Sequence, residues 1–144
     1  MNKILVIGLK KKFGKFEKKI KISASKILKN LKQDGVQAEI YLLGDRDMKF
    51  LNKKFRGKDK AADVLSFNEP KNFVSPPSKF RRIGEVYLNM SDVRCQMLNV
   101  RCQMSDVRNR LLIHGLLHLL GYVHKKKNDR IKMEKIEQKL LGQI

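Results

Sequence analysis

The 144-residue sequence contains no tryptophan, two cysteines, three prolines and three histidines, and only 14 carboxylates stand against 33 lysines and arginines. The poverty in cysteine excludes a disulfide-stapled scaffold. Cys95 and Cys102 are seven residues apart; in a helix running through both they would lie about 10 Å apart along its axis, too far for a disulfide. No apolar run approaches the roughly 20 residues of a membrane-spanning helix. The run Ile4–Leu9 is too short for a secretory core and ends in lysines, so no export signal is expected. These absences together predict a cytoplasmic protein outside the membrane. With 42% hydrophobic residues the chain can bury a core, and its length fits a single domain, residues 1–144, without a linker.

The scarcity of carboxylates leaves a formal net charge of +19. Such a field draws polyanions, of which RNA and DNA are the commonest in a cytoplasm. A phosphodiester is therefore a better expected substrate than a peptide.

All three histidines fall in eleven residues, His114-Gly-Leu-Leu-His118-Leu-Leu-Gly121-Tyr-Val-His124. Four residues of helix advance about 6 Å and turn about 40° beyond a full circle, so His114 and His118 share a face. Gly121 stands where a helix takes a left-handed closing residue, and a turn there presents His124 to the other two rings. Three imidazoles leave the fourth tetrahedral position of a zinc ion open, the catalytic rather than the structural pattern. The expected cofactor is one Zn²⁺ or another divalent transition metal. The spacing matches the metzincin protease motif, but the glutamate that serves those enzymes as general base is replaced by Gly115. A glycine side chain moves no proton, so peptide hydrolysis is disfavoured.

Hydrophobic periodicity orders the rest. Strands are predicted over residues 3–9, 36–43, 63–67 and 83–88, the second with Val36, Ala38, Ile40 and Leu42 on one side. Helices are predicted over 16–32, 46–55, 90–100 and 105–120, with Ser105 as N-cap of the last. A closing helix over 129–141 should turn Ile131, Met133, Ile136, Leu140 and Leu141 inward. In the 46–55 helix Met48, Leu51, Asn52 and Phe55 recur at helical spacing. The leucines from 111 to 120 wrap most of the circumference of the histidine helix, as in a central buried element. All three prolines lie between Glu69 and Pro77, in a loop. Val-Arg-Cys-Gln-Met occurs at 93–97 and again at 100–104, one duplicated unit and too little for a repeat architecture.

Three segments together resemble the YbeY family of bacterial rRNA maturation endoribonucleases. The first is Leu51-Asn-Lys-Lys-Phe-Arg56-Gly-Lys-Asp-Lys60-Ala-Ala-Asp-Val-Leu-Ser-Phe67. The second is Ile83-Gly-Glu-Val-Tyr-Leu88, and the third is the histidine stretch, where the family reads H-G-x-L-H-L-x-G-Y-D-H. Met133 and Glu137 fit the closing helix of the family more loosely. The resemblance implies an α/β (α+β) domain with a small mixed four-stranded sheet, helices around it and the metal helix at the centre. It places His114, His118 and His124 on the metal ligands and Arg56 on the arginine that the family sets in its active-site groove. It further implies cleavage of single-stranded RNA during ribosomal RNA maturation and quality control, alongside the small ribosomal subunit.

The chemistry this predicts is metal-assisted cleavage of a phosphodiester, with water or the RNA's own 2′-hydroxyl as the attacking group. Zinc can lower the pKa of its water to about 7 without a protease-style glutamate. Arg56 is the expected catalytic donor to phosphoryl oxygens, and Lys58 and Lys60 are expected to track the RNA backbone with it. Glu85 is a candidate proton shuttle. Val123 stands where the family has aspartate, directly before the third ligand. That departure supports the alternative function, a non-catalytic RNA-binding assembly factor whose metal is structural or vestigial.

Overall fold

The computed structural model describes residues 1–69, 79–91, 104–122 and 126–144, the side chains of 104–106 apart. Both cysteines, the three prolines, Val123, His124 and residues 92–103 of the duplicated stretch lie outside the described residues; of the helix expected over 90–100 only Met90 and Ser91 are described, and they are not helical. Strict alternation makes the strand Val36–Leu43 (β2) the seam of the fold: Val36, Ala38, Ile40 and Leu42 are fully buried, as their period of two requires. It pairs in parallel with Lys3–Gly8 (β1) on one side and with Arg81–Asn89 (β4) on the other. Val64–Asn68 (β3) closes the sheet antiparallel to β4, giving the order β1-β2-β4-β3. The expected small mixed four-stranded sheet is what forms.

Parallel neighbours need a crossover. Between β1 and β2 it is a 3₁₀ turn over Lys11–Phe16 followed by the helix Glu17–Asn30 (α1). The predicted helix thus begins one residue later, its start at Phe16 taken by the tighter turn. α1 lays Ile20, Ala24, Ile27 and Leu28 against one sheet face, its lysines turned outward. Met104–Leu119 (α3) lies on that same face against β3 and β4, and Leu112, Ile113, Leu116 and Leu117 are all but completely buried. It is the central helix that its leucines predicted, although Ser105 lies within it rather than at its cap. Lys127–Leu141 (α4) packs on α3 through Met133 and Leu140. Ile131, expected inward with them, is 43% exposed. Two residues of helix are about 200° of rotation, so Ile131 and Met133 face opposite ways.

The helix Asp45–Arg56 (α2) covers part of the other sheet face, burying Met48 and Asn52 beside Leu43 and Leu65. Phe55, which recurs with them at helical spacing, is 58% exposed and makes a T-shaped contact with Phe67, ring centroids 5.4 Å apart. Gly84 marks the one irregularity in the ladder. The register slips between Gln37 and Ala38, so that Ala38 faces Gly84 and Ile83 is the extra residue of a bulge. Gly84 takes φ +138°, and a Cβ there would lie 2.2 Å from the Phe67 carbonyl oxygen. Only glycine is compatible with both.

Candidate metal centre

The site is assembled on α3 and completed by α4. The two rings predicted to share a face do so: the Nε2 atoms of His114 and His118 are 3.0 Å apart, with ring centroids at 4.5 Å. His114 Nδ1 lies 2.7 Å from Glu137 Oε1 on α4. A carboxylate only accepts, so Nδ1 carries the proton and the lone pair of His114 is left on Nε2. That is the tautomer a metal requires, with the outer nitrogen fixed by a carboxylate. Two Zn–N bonds of about 2.0–2.1 Å at tetrahedral angles place their nitrogens about 3.4 Å apart, so the observed pair needs little adjustment. The donors present therefore fit zinc or a neighbouring transition metal. Among the described residues no group of three His, Cys, Asp or Glu side chains gathers about one point, and His124 lies outside them.

Gly115 explains itself here. A Cβ on it would lie 2.7 Å from Val86 Cγ1 and 3.1 Å from Val64 Cγ2, so α3 rests its backbone directly on β3 and β4. Ser66 Oγ donates to the Gly115 carbonyl at 3.0 Å, and Asn68 Nδ2 donates to the Leu119 carbonyl at 3.0 Å, holding the helix in register. The position that carries a base in the proteases points at the sheet in this protein, so its glycine serves close packing rather than proton transfer. α3 ends as its sequence predicts. Tyr122 N–H donates to the Leu117 carbonyl and Gly121 N–H to that of His118, with Gly121 at φ +96°, the double bond of a glycine-closed helix end.

Two clefts meet at His114 and Glu137. One of about 330 Å³ is lined by Arg130, Met133 and Glu134 from α4. The other, about 270 Å³, is lined by Asp63, Val64, Arg110 and Leu111. Both give solvent a way to the half-buried pair.

Arg56, Lys58 and Lys60 are all exposed, on the last residue of α2 and the loop that follows. Two buried asparagines shape that loop. Asn52 Nδ2 donates to the Lys60 carbonyl at 2.8 Å, and Asn89 donates to the Ala62 carbonyl and to Asp45 Oδ1. The loop is thereby led into Asp63 and Val64, which line the second cleft. Neither asparagine was singled out for this work in the sequence, although Asn52 recurs among apolar residues at helical spacing, which is the signal of a buried polar anchor. Glu137, four residues after Met133, carries in sequence only a loose fit to the closing helix of the family. Glu85 is a different matter. It lies on an internal strand, on the sheet face opposite Val86 and α3, bonded to Tyr87 and near Arg82. Period-two alternation aims it away from the histidines, so it is no shuttle for them.

A profile of the family described as Endoribonuclease YbeY matches residues 8–144. The chain belongs to that family. A relative named Endoribonuclease YbeY from Persephonella marina is 37% identical over 129 residues, 88% of this chain and 81% of the relative. One of that name from Aquifex aeolicus is 31% identical, across 99% of this chain and 92% of the relative. One from Thermodesulfovibrio yellowstonii is 37% identical, but the match spans 65% of its length. The solution structure of TM1509 from Thermotoga maritima superposes with a TM-score of 0.61 at 27% identity, over 96% of this chain and 89% of that one. Family membership and fold agree, and the mixed sheet with α3 across its inner face is the architecture the resemblance implied.

Proposed function

We propose that this protein is a metal-dependent endoribonuclease that cleaves single-stranded RNA in the cytoplasm, during ribosomal RNA maturation and quality control beside the small ribosomal subunit. The observation that carries the reading is the His114–His118 pair with its outer nitrogen held by Glu137, in a chain whose relatives are named endoribonucleases. His114 and His118, with His124, would hold one zinc or similar divalent ion. Such an ion supplies Lewis-acid activation of water and of a phosphoryl oxygen. Glu137 keeps the His114 ring in the ligating tautomer, and Gly115 keeps the helix seated on the sheet. Arg56, at the end of α2 just ahead of the Asn52-anchored loop, would offer its fork of donors to the non-bridging oxygens, where charge must be neutralised. Lys58 and Lys60 extend that cationic track.

Metal analysis of the native protein, coupled to cleavage of single-stranded and structured RNA with and without chelator, tests this. The expected result is about one equivalent of metal, cleavage of the single strand, and loss of both on chelation. In His118→Ala most of the metal is lost; retention of a full equivalent overturns the ligand assignment. Val123 supports a second reading, an RNA-binding assembly factor with a decayed site, because valine can neither orient a ligand nor manage a proton. Cleavage by the native chain decides for the enzyme, and cleavage only by Val123→Asp decides for the decayed site.

A further inference from the structure

The function proposed above leaves one surface without a task. Phe50 and Phe55 on α2 are 63% and 58% exposed, on a protein that otherwise buries most of its large apolar side chains. Lys54 lies between them, its Nζ 5.9 Å from the Phe50 centroid and 5.6 Å from that of Phe55. Residues 49–60 carry six lysines and arginines against one carboxylate, Asp59, whose nearest cation is Lys49 at 3.9 Å. Phe55 is held by more than its own helix. It abuts Phe67 edge-on, Phe67 abuts Tyr87 at 5.6 Å, and Tyr87 stacks on Tyr41 at 4.9 Å. The ring is thus braced from behind while its front faces water.

We infer that Phe50 and Phe55 form a stacking platform for the bases of single-stranded RNA, with Lys53 and Lys54 taking the neighbouring phosphates, an inference that rests on the RNA reading above. Exposed aromatics interleaved with cations are how single strands are held without regard to sequence, since every base has a π-face. Lys54, already over both rings, would turn outward to a backbone at little cost. An apolar protein partner is poorly matched to a patch with five more positive than negative charges. The far end of the aromatic file is closed to RNA: Arg82 there lies 3.1 Å from Glu39, 3.2 Å from Glu69 and 3.5 Å from Glu85. Three carboxylates about one guanidinium repel a polyanion, so the strand is confined to the α2 end. From that end the Asn52-anchored loop leads to the cleft at His114.

Fluorescence anisotropy with a labelled unstructured oligoadenylate, on chelator-treated protein so that nothing is cut, tests the platform. Phe50→Ala and Phe55→Ala should each weaken binding about tenfold, the size of one lost base stack, with an unchanged salt dependence. Phe50→Trp should bind at least as tightly as the native protein, and Phe50→Leu should remain weak. Lys53→Gln and Lys54→Gln should each flatten the log–log salt slope by about 0.7. Native affinity in both alanine variants, or in Phe50→Leu, overturns the platform. Phe50 belongs to neither apolar cluster, so its variants report even if Phe55→Ala, which loses the Phe67 contact, folds poorly. Tight binding by native protein that never cleaves with metal restored would overturn the nuclease reading and leave the platform standing. No binding by the native protein would overturn both.

Discussion

The two faces of the sheet are made by alternate residues of the same strands and have nothing else in common. On the inner face Val64, Ser66 and Val86 press so closely on Gly115 that no Cβ fits between them. The result is a dry, unyielding seat for the helix bearing His114 and His118. On the outer face the intervening residues are Phe67, Glu85 and Tyr87, facing Glu39 and Tyr41 across the ladder. That face is partly covered by α2 and carries aromatic rings and ionisable groups. The difference teaches that the chemistry of a residue in this protein depends on its parity along the strand. Glu85 is turned outward by its parity on β4, whereas Glu137 reaches His114 from α4 on the inner side.

The sharpest way to break the contrast is to abolish the bulge that fixes the parity. Gly84→Ala places a Cβ 2.2 Å from the Phe67 carbonyl and 2.9 Å from Leu119 Cδ2, at a φ that alanine avoids. Backbone strain of about 1–3 kcal/mol and overpacking of about the same size should cost roughly 4 kcal/mol together. Urea melts should show a midpoint collapse with the slope retained; a loss below about 1 kcal/mol would mean that the bulge is dispensable. Gly115→Ala should cost less. Its clash is with valine methyls, and helix propensity returns about 1 kcal/mol, for a net loss of about 1–2 kcal/mol.

Next in size is a comparison of carboxylates across the sheet. Removing the partner of a ligating histidine typically costs 10–100-fold in metal affinity. Glu137→Ala should lose that much by equilibrium dialysis against a zinc buffer, with far-UV circular dichroism unchanged. Glu85→Gln, on the other face, should bind metal within about twofold of the native protein. Equal losses in both would show that the two faces communicate and that Glu137 has no special hold on the ring.

Much of this was legible in the sequence, and the limits have physical causes. Alternation in Val36–Leu43 and the leucine-rich circumference of α3 report burial directly, and the helical spacing of His114 and His118 brings their rings together as a period of 3.6 demands. What one sequence cannot carry is the meeting of distant segments. Glu137 is 23 residues from His114, and nothing local in α4 distinguishes it from its neighbour Glu134. The buried roles of Asn52 and Asn89 depend on carbonyls of a loop whose path they themselves determine. Phe55 follows the spacing of Met48, yet it lies in the last turn of α2 and stays exposed, in a T-shaped contact with Phe67. Glu85 is a candidate shuttle in sequence because a single strand does not say which of its faces meets the histidine helix; topology sets β4 between β2 and β3 and turns Glu85 to the other face.

The smallest expected effect sharpens the outer face alone. Burial, followed by the hydrogen bond that its hydroxyl donates to Glu39, pushes Tyr41 up to about 12. Burial likewise raises Tyr87, whose hydroxyl donates to Glu85 at 2.6 Å. A phenol whose folded pKa exceeds its unfolded value of about 10 favours the folded state in its protonated form. Its contribution is complete below pH 10 and is lost as pH rises through about 12. Ultraviolet difference absorbance should therefore show two of the three tyrosines ionising late, and only as the protein unfolds. Glu39→Gln should bring the Tyr41 transition down but not all the way to 10, because the larger cause, burial, remains. A return to 10 in that variant would mean that the carboxylate, and not the covered sheet face, controls the phenol.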